Sequence, residues 1–115
     1  MNNKTDYLIV KIVKNLIEIQ RIEALFHQRR FTLNEYLILY TIEKEGPVKP
    51  SQVADELKFS RGAISRQTDR LIQQKYLVTI PTENDRRSHR LILTDLGRDL
   101  LLDLSHLLVA HNEKA

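Results

Sequence analysis

Residues 82–97 read TENDRRSHRLILTDLG. Arg86, Arg87 and Arg90 crowd the middle of this stretch together with His89, directly ahead of the apolar run Leu91-Ile92-Leu93. The flanking segments LVTIP (77–81) and RLILT (90–94) are short and rich in β-branched or apolar residues. Two such segments around a polar one predict a β-hairpin. A strand connection has no structural need for that much positive charge, which raises the question of what anion its tip meets. After the hairpin, Thr94 is a natural cap for a last helix, DLGRDLLLDLSHLLVAH (95–111), whose leucines at 96, 100, 101, 104, 107 and 108 outnumber what one core needs.

Working back from the hairpin, the chain reads as four helices. Between Thr5 and Gln28, Ile9, Ile12, Leu16, Ile19, Ile22 and Phe26 recur at helical spacing. Val13, Ile17, Ala24 and Leu25 widen that stripe beyond one face, so this helix needs two neighbours, and in a small domain the second is often another subunit. Thr32 followed by Glu35 is a capping box, with Phe31 and Tyr36 placed to staple it. That helix runs through LILYTIEKE and stops at Gly46-Pro47. Pro50 suits the first position of a short third helix continuing through SQVADELK, since its missing N–H is not needed there. Ser60 then caps a fourth, RGAISRQTDRLIQQK (61–75).

Size and composition bound the functions open to such a chain. Its 115 residues suit one domain with a single modest core. The absence of cysteine removes disulfides, thiolate metal sites and thiol redox sensing. No apolar run approaches the roughly 18 residues of a membrane span, and MNNKTDY lacks a signal-peptide pattern, so the expectation is a cytoplasmic protein with no membrane contact. Net charge is +3, yet Ser60–Arg90 alone holds seven basic residues against three acidic ones, +4, leaving −1 for the rest. A basic excess confined to one stretch suits a polyanion partner, although a merely solvated face has the same composition.

Two short helices joined by a tight turn and followed by a hairpin describe a winged helix-turn-helix, a mainly α fold with a small β-hairpin wing (α+β). Its second helix fits the DNA major groove while the first crosses the backbone. The stretch from Phe31 to Leu102 resembles the DNA-binding core of the MarR family of bacterial transcription regulators. Asp85-Arg86-Arg87, followed by Leu93, Thr94 and Gly97, is similar to that family's wing signature, an Asp-x-Arg ahead of Leu-Thr-x-x-Gly. The chain's shortness resembles the SarA-like branch, whereas the Leu-Thr-x-x-Gly wording is closer to the general pattern. Two features depart from the family: Lys49 stands where a capping Ser or Thr is usual, and relatives usually add a further C-terminal helix beyond the point where this chain ends in HNEKA.

The resemblance implies an organisation of residues 1–30 as an N-terminal dimerisation helix, 31–94 as the winged core and 95–115 as a C-terminal dimerisation helix. It implies a homodimer on a palindromic operator of double-stranded DNA, with recognition helix 61–75 in the major groove and wing 82–89 at the minor groove, acting as a repressor. Arg87 matches the wing-tip arginine, with Arg86 beside it, and Asp85 the acidic residue that orients the wing. Arg61, Gly62, Ala63, Ser65 and Arg66 match positions facing bases or phosphates, and Ser51 and Ser60 match phosphate-touching helix starts. Arg70, four residues beyond Arg66, reads equally as a DNA contact or a solvated side chain. Relatives released by small aromatic ligands suggest a cleft here, for which Tyr7, Phe26, Tyr36 and Tyr40 are candidates, although aromatics at helical spacing are more often core.

Other classes leave weaker marks. Glu23 and His27 are four apart, but the four histidines form no i, i+4 pair among themselves, so no metal and no cofactor are expected. Ser88-His89 and Ser105-His106 are adjacent in sequence only, and neighbouring side chains point apart, so no enzyme is expected. The remaining rivals are a winged-helix protein–protein adaptor, which has no reason to keep this basic set, and an architectural DNA binder without strong sequence preference.

Overall fold

Asn2 opens the first helix by accepting the Thr5 N–H on its side-chain oxygen at 2.8 Å. The structure, a computed structural model, describes residues 2–82 and 85–114, and their side chains except at 82–88 and 113–114. In chain order it holds α1 (Asn3–Gln28), α2 (Leu33–Glu45), α3 (Pro50–Leu57), α4 (Arg61–Gln73), β1 (Leu77–Thr82), β2 (Asp85–Leu93) and α5 (Asp95–Lys114). This is the helix-rich fold with a two-stranded antiparallel wing that the sequence predicts.

Local signals set most boundaries. At the start of α2 both halves of the capping box form: Thr32 Oγ1 accepts the Glu35 N–H (3.1 Å) and Glu35 Oε1 accepts the Thr32 N–H (3.0 Å). The staple pair takes other ring partners, Phe31 lying edge-on to Tyr76 at 5.6 Å and Tyr36 edge-on to Phe26 at 5.7 Å. Lys49 makes no side-chain cap on α3; Gln52 instead reaches back to accept the Lys49 N–H at 3.0 Å. α4 ends at Gln73, two residues short of the predicted 75. There Lys75 turns into the left-handed region (φ 68°), and the Tyr76 and Lys75 N–H groups bond back to the Leu71 and Ile72 carbonyls, both at 2.9 Å. This is a Schellman ending with lysine where glycine is usual. α1 ends the same way at Arg30 (φ 64°), and Lys58 (φ 59°) ends α3. A basic residue at each of these ends complements the negative pole of its helix.

The wing is more strand than the sequence predicts. β2 begins at Asp85, so residues 85–89, expected in the polar connection, belong to it. Pairing runs from Leu77↔Leu93 to Pro81↔His89 and then jumps to Thr82↔Asp85, placing the extra residues 86–88 in the β2 strand as an irregularity. Below it, Val48 forms an antiparallel bridge with Leu91 through hydrogen bonds of 3.2 and 2.7 Å, tying the α2–α3 connection to the wing. At the neck of the hairpin, the Thr94 N–H donates to the Tyr76 carbonyl (3.1 Å), its hydroxyl donates to the Lys75 carbonyl (2.6 Å), and the same oxygen accepts the Gly97 N–H (3.0 Å). Thr94 thus caps α5 and closes the hairpin at once.

The core gathers Ile38, Leu39, Ile42, Val53, Ile64, Leu71 and Leu91, with Phe26 from α1 and Leu104 from α5. α5 is tied to α2 by Arg98, which donates to both Glu43 oxygens at 3.2 Å, and by Tyr36 and Ser105, whose hydroxyls lie 2.9 Å apart. Its far end meets α1 where His111 Nε2 lies 2.7 Å from Glu18 Oε2. That hydrogen bond, together with the nearby Arg21 guanidinium, outweighs desolvation and holds the Glu18 carboxyl below its usual range. The link is therefore intact above the ordinary carboxylate range and weakens as pH falls through the lowered value.

α1 is packed at one end only. Every large apolar residue noted from Tyr7 to Ile19 is between 41% and 65% exposed. At about 100° per residue, Leu8, Ile19, Ile12, Leu16, Ile9, Val13, Ile17 and Val10 follow one another around roughly 200° of the helix. Lys11, Lys14, Glu18 and Arg21 occupy the other side, and α1 meets its own chain through Phe26 and Ile22 beside the apolar arc and through Glu18 on the polar side. Among the described residues, no helix is long and apolar enough to cross a membrane.

Candidate nucleic-acid interface

α4 is held by one face. Ile64, Thr68 and Leu71 are buried, and the Thr68 hydroxyl meets its need for a partner by donating to the Ile64 carbonyl at 2.8 Å. Arg61, Gly62, Ser65, Arg66 and Asp69 are exposed on the other face. Ser60 caps the helix, its Oγ accepting the Ala63 N–H at 3.1 Å. The first N–H groups of a helix lack partners within it; here Ala63 is satisfied by the cap, while those of Arg61 and Gly62 face out of the helix end. Arg61 and Arg66 enter no ion pair among the described residues. The outcome is a face on which two arginines and Asp69 are exposed and, among the described residues, the arginines have no ion-pair partner, near the positive end of a helix dipole, chemistry suited to phosphate and to the acceptor-rich edge of guanine.

Gly62 is informative because the fold does not require it. A Cβ there would meet only the Arg66 guanidinium, at 3.5 Å, an ordinary contact. Gly97 is the opposite case: a Cβ would overlap the Tyr76 carbonyl oxygen and press its carbon at 3.0 Å. One glycine of the sequence motif is thus demanded by packing, whereas Gly62 is left free for an approaching ligand.

The other sequence-predicted residues divide clearly. Ser51 is half-buried at the second position of α3, just after the connection from α2. Arg70 turns away from the α4 face and toward the body, its guanidinium 3.7 Å from Glu35 Oε2 and 3.4 Å from the Arg30 carbonyl. Sequence reasoning missed Glu35 as its partner, having already assigned that side chain to the α2 cap. Asp85, Arg86 and Arg87 lie on β2 by their backbone, and their side chains fall outside the described residues. Arg90 lies exposed on β2 opposite Ile80.

Among the described residues, the four aromatics considered for an effector cleft have separate surroundings. Phe26 is fully buried core, and Tyr36 packs against it and stacks on half-exposed Tyr40 at 6.3 Å. Tyr7 stands apart on α1, bordering a surface recess with Val10 and Lys14. A separate groove of about 450 Å³ runs between α1 and α2, lined by Glu23, His27, Phe31 and Thr32 among others. Among the described residues, no group of three or more potential metal ligands comes together there or elsewhere.

A helix-turn-helix with a basic recognition surface and a β wing defines the winged helix-turn-helix class. Within that class the chain belongs to the MarR family, whose family model matches residues 31–88. The chain is 31% identical over 83 residues to the HTH-type transcriptional regulator PecS of Dickeya dadantii, covering 70% of this chain and 50% of that one. It is 30% identical over 73 residues to YpoP of Bacillus subtilis, described as an uncharacterized HTH-type transcriptional regulator, covering 64% and 52%. The chain therefore spans about half the length of these two curated relatives. Similar folds include AbsC, a MarR family transcriptional regulator from Streptomyces coelicolor (TM-score 0.81, 19% identity, 99% of this chain and 79% of that one). They also include Streptococcus pneumoniae FabT in complex with DNA (TM-score 0.77, 24% identity, 96% and 78%).

Proposed function

We propose that this protein is a sequence-specific double-stranded DNA-binding transcription regulator that acts in the cytoplasm as a homodimer and represses by occluding a promoter. The observation that carries this reading is the exposed face of α4, where Arg61 and Arg66 have no ion-pair partner among the described residues and stand beside a glycine that packing does not need. Family membership supports it, as does the DNA-bound state of the structurally similar FabT. In this reading Ser65 and Arg66 contact base edges, Ser51, Ser60, Arg61, Gly62 and Ala63 lie close to the backbone, and Arg86 and Arg87 follow the minor groove with Asp85 orienting them. The apolar arc of α1, joined by Leu96, Leu102 and Val109 of α5, forms the two-fold interface. It sets two recognition helices about one DNA turn apart, roughly 34–36 Å. A small aromatic effector would act by favouring a dimer with the wrong spacing.

The test is binding to a duplex enriched from a random pool against a shuffled duplex, across a salt series. Selective binding whose logarithm falls by about 0.9 per phosphate neutralised is the expected result. Arg66→Ala should lose about 1–3 kcal/mol of sequence discrimination, whereas Arg87→Ala should weaken enriched and shuffled duplexes together. Equal binding of both duplexes by the unaltered protein supports an architectural role, and no binding supports an adaptor. Gly62→Ala separates fold from function. It should raise thermal stability, by up to about 1 kcal/mol, while lowering DNA affinity. A variant that is stabilised and binds DNA as tightly as the parent would remove the close-approach role of Gly62.

A further inference from the structure

The groups left over once the interface is drawn centre on Glu35, which is only 2% exposed. Its Oε1 is committed to the α2 cap, accepting from the Thr32 N–H at 3.0 Å and the Thr32 hydroxyl at 3.2 Å. Its Oε2 is buried with no hydrogen-bond partner among the described residues, yet it faces the Arg70 guanidinium at 3.7 Å. The other arm of that guanidinium reaches the Arg30 carbonyl at the end of α1. A capping box needs only one carboxyl oxygen. A second one, buried and aimed at an arginine from another helix, is costly unless that arginine stays in place.

We propose that Glu35 and Arg70 form the strut that sets the roll of the recognition helix against the α1–α2 corner, so that Arg70 is a positioning residue and not a DNA contact. This rests on the DNA-binding reading of α4 above. Ile64, Thr68 and Leu71 anchor α4 along its buried face, but greasy side chains permit small rotations about the helix axis. The strut lies on a different side and ties α4 to two other elements at once. Arg70 is one helical turn beyond Arg66, so a roll at Arg70 moves Arg66 across the groove floor. Base readout tolerates only small displacements of the reading side chains, whereas phosphate contact through flexible cations tolerates more. Loss of the strut should therefore reduce specific binding more than non-specific binding.

The experiment measures affinity for the pool-enriched duplex and for its shuffled counterpart, across salt and well below the melting temperature of each variant. The variants are Arg70→Met, Arg70→Lys, Glu35→Gln and Arg70→Met combined with Glu35→Gln. The expected result is a roughly tenfold fall in the enriched-to-shuffled ratio for Arg70→Met and for Glu35→Gln, no further fall in the double variant, and partial recovery in Arg70→Lys. The salt slope on the shuffled duplex stays at the parental value in all of them. A merely stabilising pair would leave that ratio unchanged, and this result overturns the proposal. A slope about 0.9 shallower in Arg70→Met, with Glu35→Gln behaving as the parent, makes Arg70 a phosphate contact and overturns the strut while the DNA reading stands. Should the parent enrich no duplex at all, the DNA reading and the strut fail together. Arg70 is half exposed, so Arg70→Met carries the test even if Glu35→Gln does not fold.

Discussion

Gly97→Ala is expected to lower the stability of the fold by about 3 kcal/mol, among the larger costs that overpacking produces. The reason is the nature of the obstacle. The added methyl would overlap the carbonyl oxygen of Tyr76 and stand 3.4 Å from Leu93 Cγ. A flexible side chain could step aside, but this carbonyl is backbone, held by the Thr94 N–H at 3.1 Å and the Thr94 hydroxyl at 3.2 Å. Relief requires α5 to lift from the end of α4, which opens the cap and the neck of the hairpin together. A thermal melt should show the midpoint falling by roughly 10 °C or more. An unchanged midpoint would mean that α5 sits further from Tyr76 than described.

Leu16→Glu should have the larger effect on function. Leu16 is 54% exposed and lies in the middle of the apolar arc of α1. Within one chain, glutamate there removes little packing and is a good helix former, so helicity should be retained. Across the proposed two-fold interface it would bury a charge against apolar side chains, which is prohibitive without a partner. Sedimentation should shift from dimer to monomer, and affinity for the enriched duplex should fall by about 100-fold or more as the avidity of two linked reading heads is lost. Lys14→Glu, on the polar side of the same helix, is the matched control and should do neither. A dimeric Leu16→Glu variant would exclude the α1 arc as the interface.

How much of this could be seen in the chain itself depended on the range of each interaction. The caps at Thr32, Ser60 and Thr94 each close within three residues, so their sequence signals matched what formed. The winged class followed from their order. The end of α4 was misjudged because a left-handed lysine at position 75 leaves no glycine to announce it. The start of β2 was misjudged because a strand written Asp-Arg-Arg-Ser-His has the composition of a loop. Arg70 was ambiguous for a different reason. Its partner lies on another helix, and in sequence Glu35 was already explained by its own cap. The bridge between Val48 and Leu91 was invisible on the same grounds, since neither residue signals a partner so far along the chain.

The knot of bonds around Thr94 has one more consequence. Lys75 and Tyr76 on one side, and Thr94 on the other, are clamped directly to each other, so the hairpin leaves and rejoins the body at a single point. A segment inserted into a protein with its two ends touching is free to change length without moving what it is inserted into. Beyond the rung fixed by Val48 and Leu91, the wing is in this sense a replaceable appendage. Its tip can be lengthened, shortened or recharged by selection or by design while α4 stays where it is. In the proposed DNA-binding reading, change of binding preference then has two independent routes, one through the face of α4 and one through the end of the hairpin, and only the first is constrained by the core.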